Sequence, residues 1–158
     1  MKKKNLTIYL DMDGTFADLY GVRDWLPKLN NHDATPYRDA KGLYHMPTLA
    51  RQLNLLRANG IRIGIITWLS LGSTPTYDVE VAQAKLDWLK KHLPTVTFDE
   101  IHILEHGTPK ATVAKKVKGA ILIDDNTQCR EEWTRAGGTA VDATNLLCLL
   151  KLMVRGCK

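Results

Sequence analysis

Short apolar runs recur along the chain, and each gives way to a turn signal and then to a helical period. This alternation restricts the fold more than any other feature. Residues 6–10 (LTIYL) are β-rich and bounded by charge, which predicts a buried strand. Residues 61–66 (IRIGII), 101–104 (IHIL) and 120–123 (AILI) repeat the signal, and 139–141 give a weaker fifth. Between them, 47–59 place Leu49, Leu53 and Leu56 on one helical face, with Pro47 suited to a first turn and Gly60 to the stop. Residues 78–92 repeat the pattern through Val81, Ala84, Leu86, Trp88 and Leu89. Residues 109–118 open on a proline and stop before Gly119, 127–136 stop before Gly137, and 145–154 make a last, strongly apolar helix. Strands alternating with helices predict an α/β fold, a central parallel sheet with helices on both faces. Residues 17–45 are the exception. They carry Trp25, Pro27, Pro36, Tyr37 and Tyr44 without a clean period, which predicts an insertion after the first strand, over the sheet's carboxyl edge.

A chain of 158 residues points to about one domain, and its 44% hydrophobic content supplies a core. Its apolar runs fall far short of the ~20 residues that cross a membrane, so no membrane span is expected. The formal charge is +5, with Lys2, Lys3 and Lys4 in the tail and a small cluster at Lys115, Lys116 and Lys118. That balance mildly favours anionic partners. Nucleic acid is not indicated, because no basic stripe with interleaved aromatics appears. Cys129, Cys148 and Cys157 are odd in number and lack CxxC spacing, against a disulfide framework or a zinc site. No secretory signal is visible, so the expected compartment is the cytoplasm. The five histidines show no ligand spacing and read as structural. The last helix reads as core, with a dimer face as the alternative, so monomer and homodimer both stay open.

The chemistry-bearing residues sit where strands end. The first strand runs into Asp11-Met12-Asp13-Gly14-Thr15, the second ends at Thr67, Lys110 follows the third, and the fourth runs into Asp124-Asp125. In open α/β sheets the binding crevice lies outside the carboxyl ends of the strands. With the first strand central and the second and fourth beside it, these residues converge. At ~4–5 Å and an effective dielectric of ~20, each close carboxylate pair costs on the order of 3–4 kcal/mol. Such a site must protonate or hold a cation, and oxygen-only ligands favour a hard ion such as Mg²⁺ that also binds a substrate phosphate. A calcium loop is excluded, because Gly14 falls too early for the EF-hand pattern.

The set resembles the haloacid dehalogenase superfamily of phosphotransferases. Its DxDGT motif is matched by Asp11, Asp13, Gly14 and Thr15, its strand-ending Ser/Thr by Thr67, its Lys by Lys110, and its paired acids by Asp124 and Asp125, in the same order. Lys115 and Lys116 stay open as alternatives for the lysine. More narrowly, 121–138 (ILIDDNTQCREEWTRAGG) and 85–94 (KLDWLKKHLP) are similar to the deoxyribonucleotidase branch. The resemblance implies a Rossmann-like core in one hydrolase domain spanning 1–158, with a small cap insertion at about 17–46. It implies a Mg²⁺-dependent phosphomonoester hydrolase, with a nucleoside 5′-monophosphate as the small-molecule substrate. Sugar phosphates and nucleic-acid ends are the alternative substrates. By the same resemblance Asp11 is the nucleophile and Asp13 the general acid/base. Asp11, the Asp13 carbonyl, Asp125 and Asp124 hold the metal, Asp125 directly. Thr67, Trp68 and Lys110 bind the phosphate. Aromatics such as Tyr20, Trp25, Tyr37 and Tyr44 are candidates to touch substrate. A receiver-type phosphoacceptor module uses similar residues, but it places the acidic pair first and the acceptor Asp in mid-chain, the reverse of the order here.

Overall fold

The computed structural model describes residues 6–72, 74–115 and 117–157. Lys2, Lys3, Lys4 and Lys116 lie outside the described residues. In chain order the elements are β1 (Thr7–Leu10), β2 (Ala17–Asp18), α1 (Trp25–Asn30), α2 (Thr35–Asp39), β3 (Lys41–Gly42), α3 (Met46–Ala58) and β4 (Arg62–Trp68). Then come α4 (Pro75–His92), β5 (Glu100–Leu104), a 3₁₀ turn (Lys110–Thr112), β6 (Ile121–Asp124), α5 (Thr127–Arg135), β7 (Thr139–Asp142) and α6 (Leu146–Arg155). Five strands form a parallel sheet in the order β5-β4-β1-β6-β7. β1 is central and flanked by β4 and β6, the arrangement that the spacing of motifs requires. From β1 the chain goes outward to β4 and β5 and then crosses back to β6 and β7 on the other side, so a crevice opens above β1.

Successive residues of a strand face opposite sides of the sheet. On one side Ile8, Leu10, Ile63, Ile65 and Ile123 pack with Leu49, Leu53 and Leu56 of α3, Trp88 of α4, and Leu146 and Leu150 of α6. On the other, Tyr9, Ile66 and Leu122 pack with Cys129 and Trp133 of α5. Both faces are covered, which explains why the strands read as continuous apolar runs. Gly64 admits the Tyr9 ring: a Cβ there would stand 2.6 Å from Tyr9 Cδ1. Among the described residues, no helix is long and apolar enough to cross a membrane.

Three expectations change. Among the described residues of 109–118, the expected helix is reduced to the 3₁₀ turn Lys110–Thr112. Pro109 is extended (ψ 122°), β-branched Thr112 and Val113 follow, and a few residues cannot repay the cost of helix nucleation. α4 begins at Pro75 rather than at 78, because the Thr74 hydroxyl accepts the Tyr77 N–H (3.3 Å) and Pro75 fits the first turn. On α4 the buried position is Lys85, beside Val81, Ala84, Trp88 and Leu89, while Leu86 is only partly covered.

Residues 17–45 are built from the β2–β3 antiparallel pair and the short helices α1 and α2. They rest on α4: Leu19, Leu29, Ala34 and Tyr37 pack with Tyr77, Val81 and Ala84. His32 stacks on Tyr77 at 5.0 Å, and the Tyr77 hydroxyl donates to the Asp33 carbonyl (3.3 Å). The segment therefore stands beside the carboxyl ends of β1 and β4.

Candidate active site

β1 delivers Asp11 into the crevice, held in line by its N–H donating to the Ile123 carbonyl of β6 (3.0 Å). The chain then turns tightly: Thr15, Phe16 and Ala17 all donate to the Met12 carbonyl at 3.0–3.1 Å. Gly14 makes this possible with φ +76°, and a Cβ there would fall 2.2 Å from Asp125 Oδ2. Glycine thus lets the first acidic motif and the last one close against each other.

Oxygens of Asp11, Asp124 and Asp125 all lie within 4.8 Å of one another. Lys110 is buried between two of them, donating to Asp11 Oδ1 (2.7 Å) and Asp124 Oδ2 (2.6 Å). Burial alone would lower this ammonium, but the charges of Asp11 and Asp124 outweigh it and hold Lys110 above the usual lysine range. Asp124 is fully buried, and its other oxygen accepts the Asn126 N–H (2.9 Å). Burial, then the Asp11 charge, push Asp124 up to about 6 despite Lys110. Asp125 stands half out of the sheet edge, yet desolvation and the charges of Asp11 and Asp124 raise it to about 7. Three carboxylates share one ammonium, and two of them are pushed toward neutrality. An oxygen-only donor set in which carboxylates outnumber ammonium groups fits a hard divalent cation.

Asp13 and Thr67 form the other half of the site, joined by Lys85. The Lys85 ammonium donates to Asp13 Oδ2 and to Thr67 Oγ1, the latter at 3.0 Å. Burial pushes the Asp13 carboxyl up, with Lys85 opposing and Asp11 adding to it. Thr67, in β4, is fully buried. The acids, Thr67 and Lys110 face a cavity of about 850 Å³, with Lys85 buried behind it. Its floor holds Asp11, Asp13, Thr67, Lys110, Asp124 and Asp125, and its walls come from residues 19–37, the 68–72 loop, His106 and the start of α5.

The residues singled out from sequence are therefore brought together, with two adjustments. Trp68 lines the cavity, but its indole N–H already donates to the Thr108 carbonyl (2.8 Å). Its ring packs at a tilt against His106 (4.9 Å between centroids) and lies 5.4 Å from Lys110 Nζ, so it buttresses the lysine rather than offering the indole donor to a phosphate. Lys115 is far from this chemistry, an exposed side chain 3.8 Å from Glu100, so of these two candidates it is Lys110 that reaches Asp11 and Asp124. His32 and His106, expected to be structural, both line the cavity. Of the aromatics, Tyr20, Trp25 and Tyr37 line it, whereas Tyr44 turns away and donates to the Ala143 carbonyl (3.3 Å).

Two contributors had not been singled out as site residues. Lys85 had one signal: a lysine at the position of the helical period where an apolar residue belongs. Arg130 had none. It donates to the Asp124 carbonyl (2.9 Å) and pairs with Asp142 (3.1 Å), fixing the turn that carries the acidic pair.

No family model matches the chain, and no curated protein matches it. Among solved structures, the D,D-heptose 1,7-bisphosphate phosphatase from Burkholderia thailandensis is similar, with a TM-score of 0.55 over 85% of this chain and 75% of its own. At 13% identity the likeness is one of fold. That fold is the expected α/β one, a central parallel sheet with helices on both faces.

Proposed function

We propose that the protein is a Mg²⁺-dependent phosphomonoester hydrolase working through an aspartyl-phosphate. The gathering of Asp11, Asp124 and Asp125 around the Lys110 ammonium, with Asp13 facing the same cavity, carries the reading. Asp11, the Asp13 carbonyl and Asp125 would hold the ion, with Asp124 behind them. When bound, Mg²⁺ neutralises charge on the phosphoryl oxygens and on the carboxylates.

Each residue then has a task. Lys110 and the Thr67 hydroxyl bind phosphoryl oxygens. Asp11 attacks phosphorus, and an Asp–O–P bond forms as the ester P–O bond breaks. Asp13, raised by burial, gives its proton to the departing oxygen and then accepts one from the water that cleaves the acyl phosphate. Charge placed in advance around the phosphoryl group is the main catalytic contribution in this chemistry. Residues 17–45 serve as a small cap in one hydrolase domain.

For the substrate we propose a nucleoside 5′-monophosphate. The Trp68–His106 and Tyr20–Trp25 pairs line a cavity with room for a base, and the resemblance at residues 121–138 points the same way. A sugar phosphate is the second reading, favoured by the fold shared with a heptose bisphosphate phosphatase. Phosphate release from a panel of nucleotides and sugar phosphates, with and without Mg²⁺, tests both. Release from no phosphomonoester in the presence of the ion overturns the activity, and a preference for sugar phosphates overturns the substrate.

A further inference from the structure

Lys85 is 1% exposed on a helix face otherwise made of Val81, Ala84, Trp88 and Leu89. Burying an ammonium carries a desolvation penalty that a leucine in the same place would avoid. An ammonium has three donors and no acceptor. Here it meets three partners: Asp13 Oδ2, Thr67 Oγ1 at 3.0 Å, and the face of the Tyr37 ring, 4.7 Å from the centroid. No donor is left for a substrate.

The consequence lies in what these contacts leave free. Thr67 Oγ1 accepts from Lys85, so its own O–H must point to a different acceptor, and none is recorded among the described residues. Asp13 is tied through Oδ2, while no hydrogen bond reaches Oδ1 among the described residues, and the side chain borders the cavity. The ring of Tyr37 comes from α2, so residues 17–45 close the far side of the ammonium.

We infer that Lys85 is a positioning residue for phosphoryl transfer. It clamps Asp13 through Oδ2 so that Oδ1 meets the departing oxygen, and it turns the Thr67 hydroxyl toward the phosphoryl group. The inference rests on the phosphomonoesterase reading above. In the step concerned, the Asp11–phosphorus bond forms while the ester P–O bond breaks. Its electron pair leaves on the ester oxygen, which takes the proton from Asp13. An alkoxide needs that proton; a nitrophenolate does not.

The test is kcat/KM of the Mg²⁺-loaded protein for an alkyl monophosphate and for p-nitrophenyl phosphate. This constant reports only steps up to departure of the leaving group. In Lys85→Met the alkyl ester should fall by roughly 10²-fold or more, and the nitrophenyl ester about tenfold less than that. Lys85→Gln, neutral and close in length, should show the same imbalance, with thermal melts confirming that each variant folds. Equal falls on both esters, or loss of folding in both variants, would mean that Lys85 serves packing and would overturn the inference alone. A wild-type protein silent on every phosphomonoester overturns the activity and the inference together.

Discussion

Acidic residues gather at both ends of the sheet, and their protonation equilibria are pushed in opposite directions. At the amino ends of β4 and β5, Asp99 accepts from the Ile63 N–H (2.9 Å) and Arg57 (3.4 Å), and Glu100 accepts from Tyr9 (3.0 Å), His102 (3.1 Å) and Arg62 (3.4 Å). Burial pushes both acids up, but these donors outweigh it and hold both below the usual carboxylate range. At the carboxyl ends, Lys85 pairs with Asp13 and Lys110 with Asp11 and Asp124, Asp124 also accepts the Asn126 N–H, and Asp125 has no ion pair among the described residues. There Asp13 is raised, Asp124 to about 6 and Asp125 to about 7. Burial acts upward at both ends; donors outweigh it at the amino ends, while at the carboxyl ends the charges of neighbouring carboxylates add to it. One end is complete within the chain. The other is short of positive charge, which suits the proposed cation and the proposed attacking carboxylate.

The sharpest way to break this contrast is Asp11→Asn, which removes the proposed nucleophile and leaves the size of the side chain nearly unchanged. Phosphate release should fall by about 10⁴-fold or more, the scale of losing a nucleophile. A variant retaining a tenth of wild-type turnover would reduce Asp11 to a charge among others.

The next effect concerns the deficit itself. A divalent cation that binds only the folded chain stabilises it by about 2.7 kcal/mol at a hundred times its Kd. For a chain of this size that raises Tm by roughly 5–10 °C. Mg²⁺ should produce such a rise in the wild-type protein and little of it in Asp125→Asn. The metal-free variant should melt no lower than the metal-free wild type, because a repelling charge has gone. A wild-type melt indifferent to Mg²⁺ would mean that the three acids satisfy one another without an ion.

The sequence was legible where one physical rule dominated. Burial on both faces made β1, β4 and β6 unmistakable runs, and acids placed directly after such runs had to emerge at one edge. Lys110 was less secure, because nothing in the spacing separates it from Lys115; only its ion pairs with Asp11 and Asp124 do. Lys85 was misplaced in favour of Leu86, since a helical period assigns lysine to solvent unless a buried carboxylate waits for it. Residues 17–45 showed no period because helices of six and five residues are too short to display one. The turns there also use left-handed backbone at Asp24 (φ 56°) and His32 (φ 55°), residue types that adopt it more often than most but signal it far less than glycine.

The smallest effect probes the completed end. Asp99→Asn keeps an oxygen for the Ile63 N–H but loses the charge that draws Arg57. At pH 7 the variant should be less stable by about 1 kcal/mol, less than is usual for hydrogen bonds to a charged group, because the Arg57 pair is long at 3.4 Å and partly exposed. The pH dependence fixes the sign. Asp99 is depressed in the folded chain, so its contribution is complete above the unfolded carboxylate pKa, near 3.9, and is lost as pH falls through the folded value below it. Wild type and variant should therefore converge in urea melts below about pH 4. Convergence that began instead between pH 6 and 7, the range of Asp124 and Asp125, would mean that Asp99 is as frustrated as they are, and the contrast between the two ends would be lost.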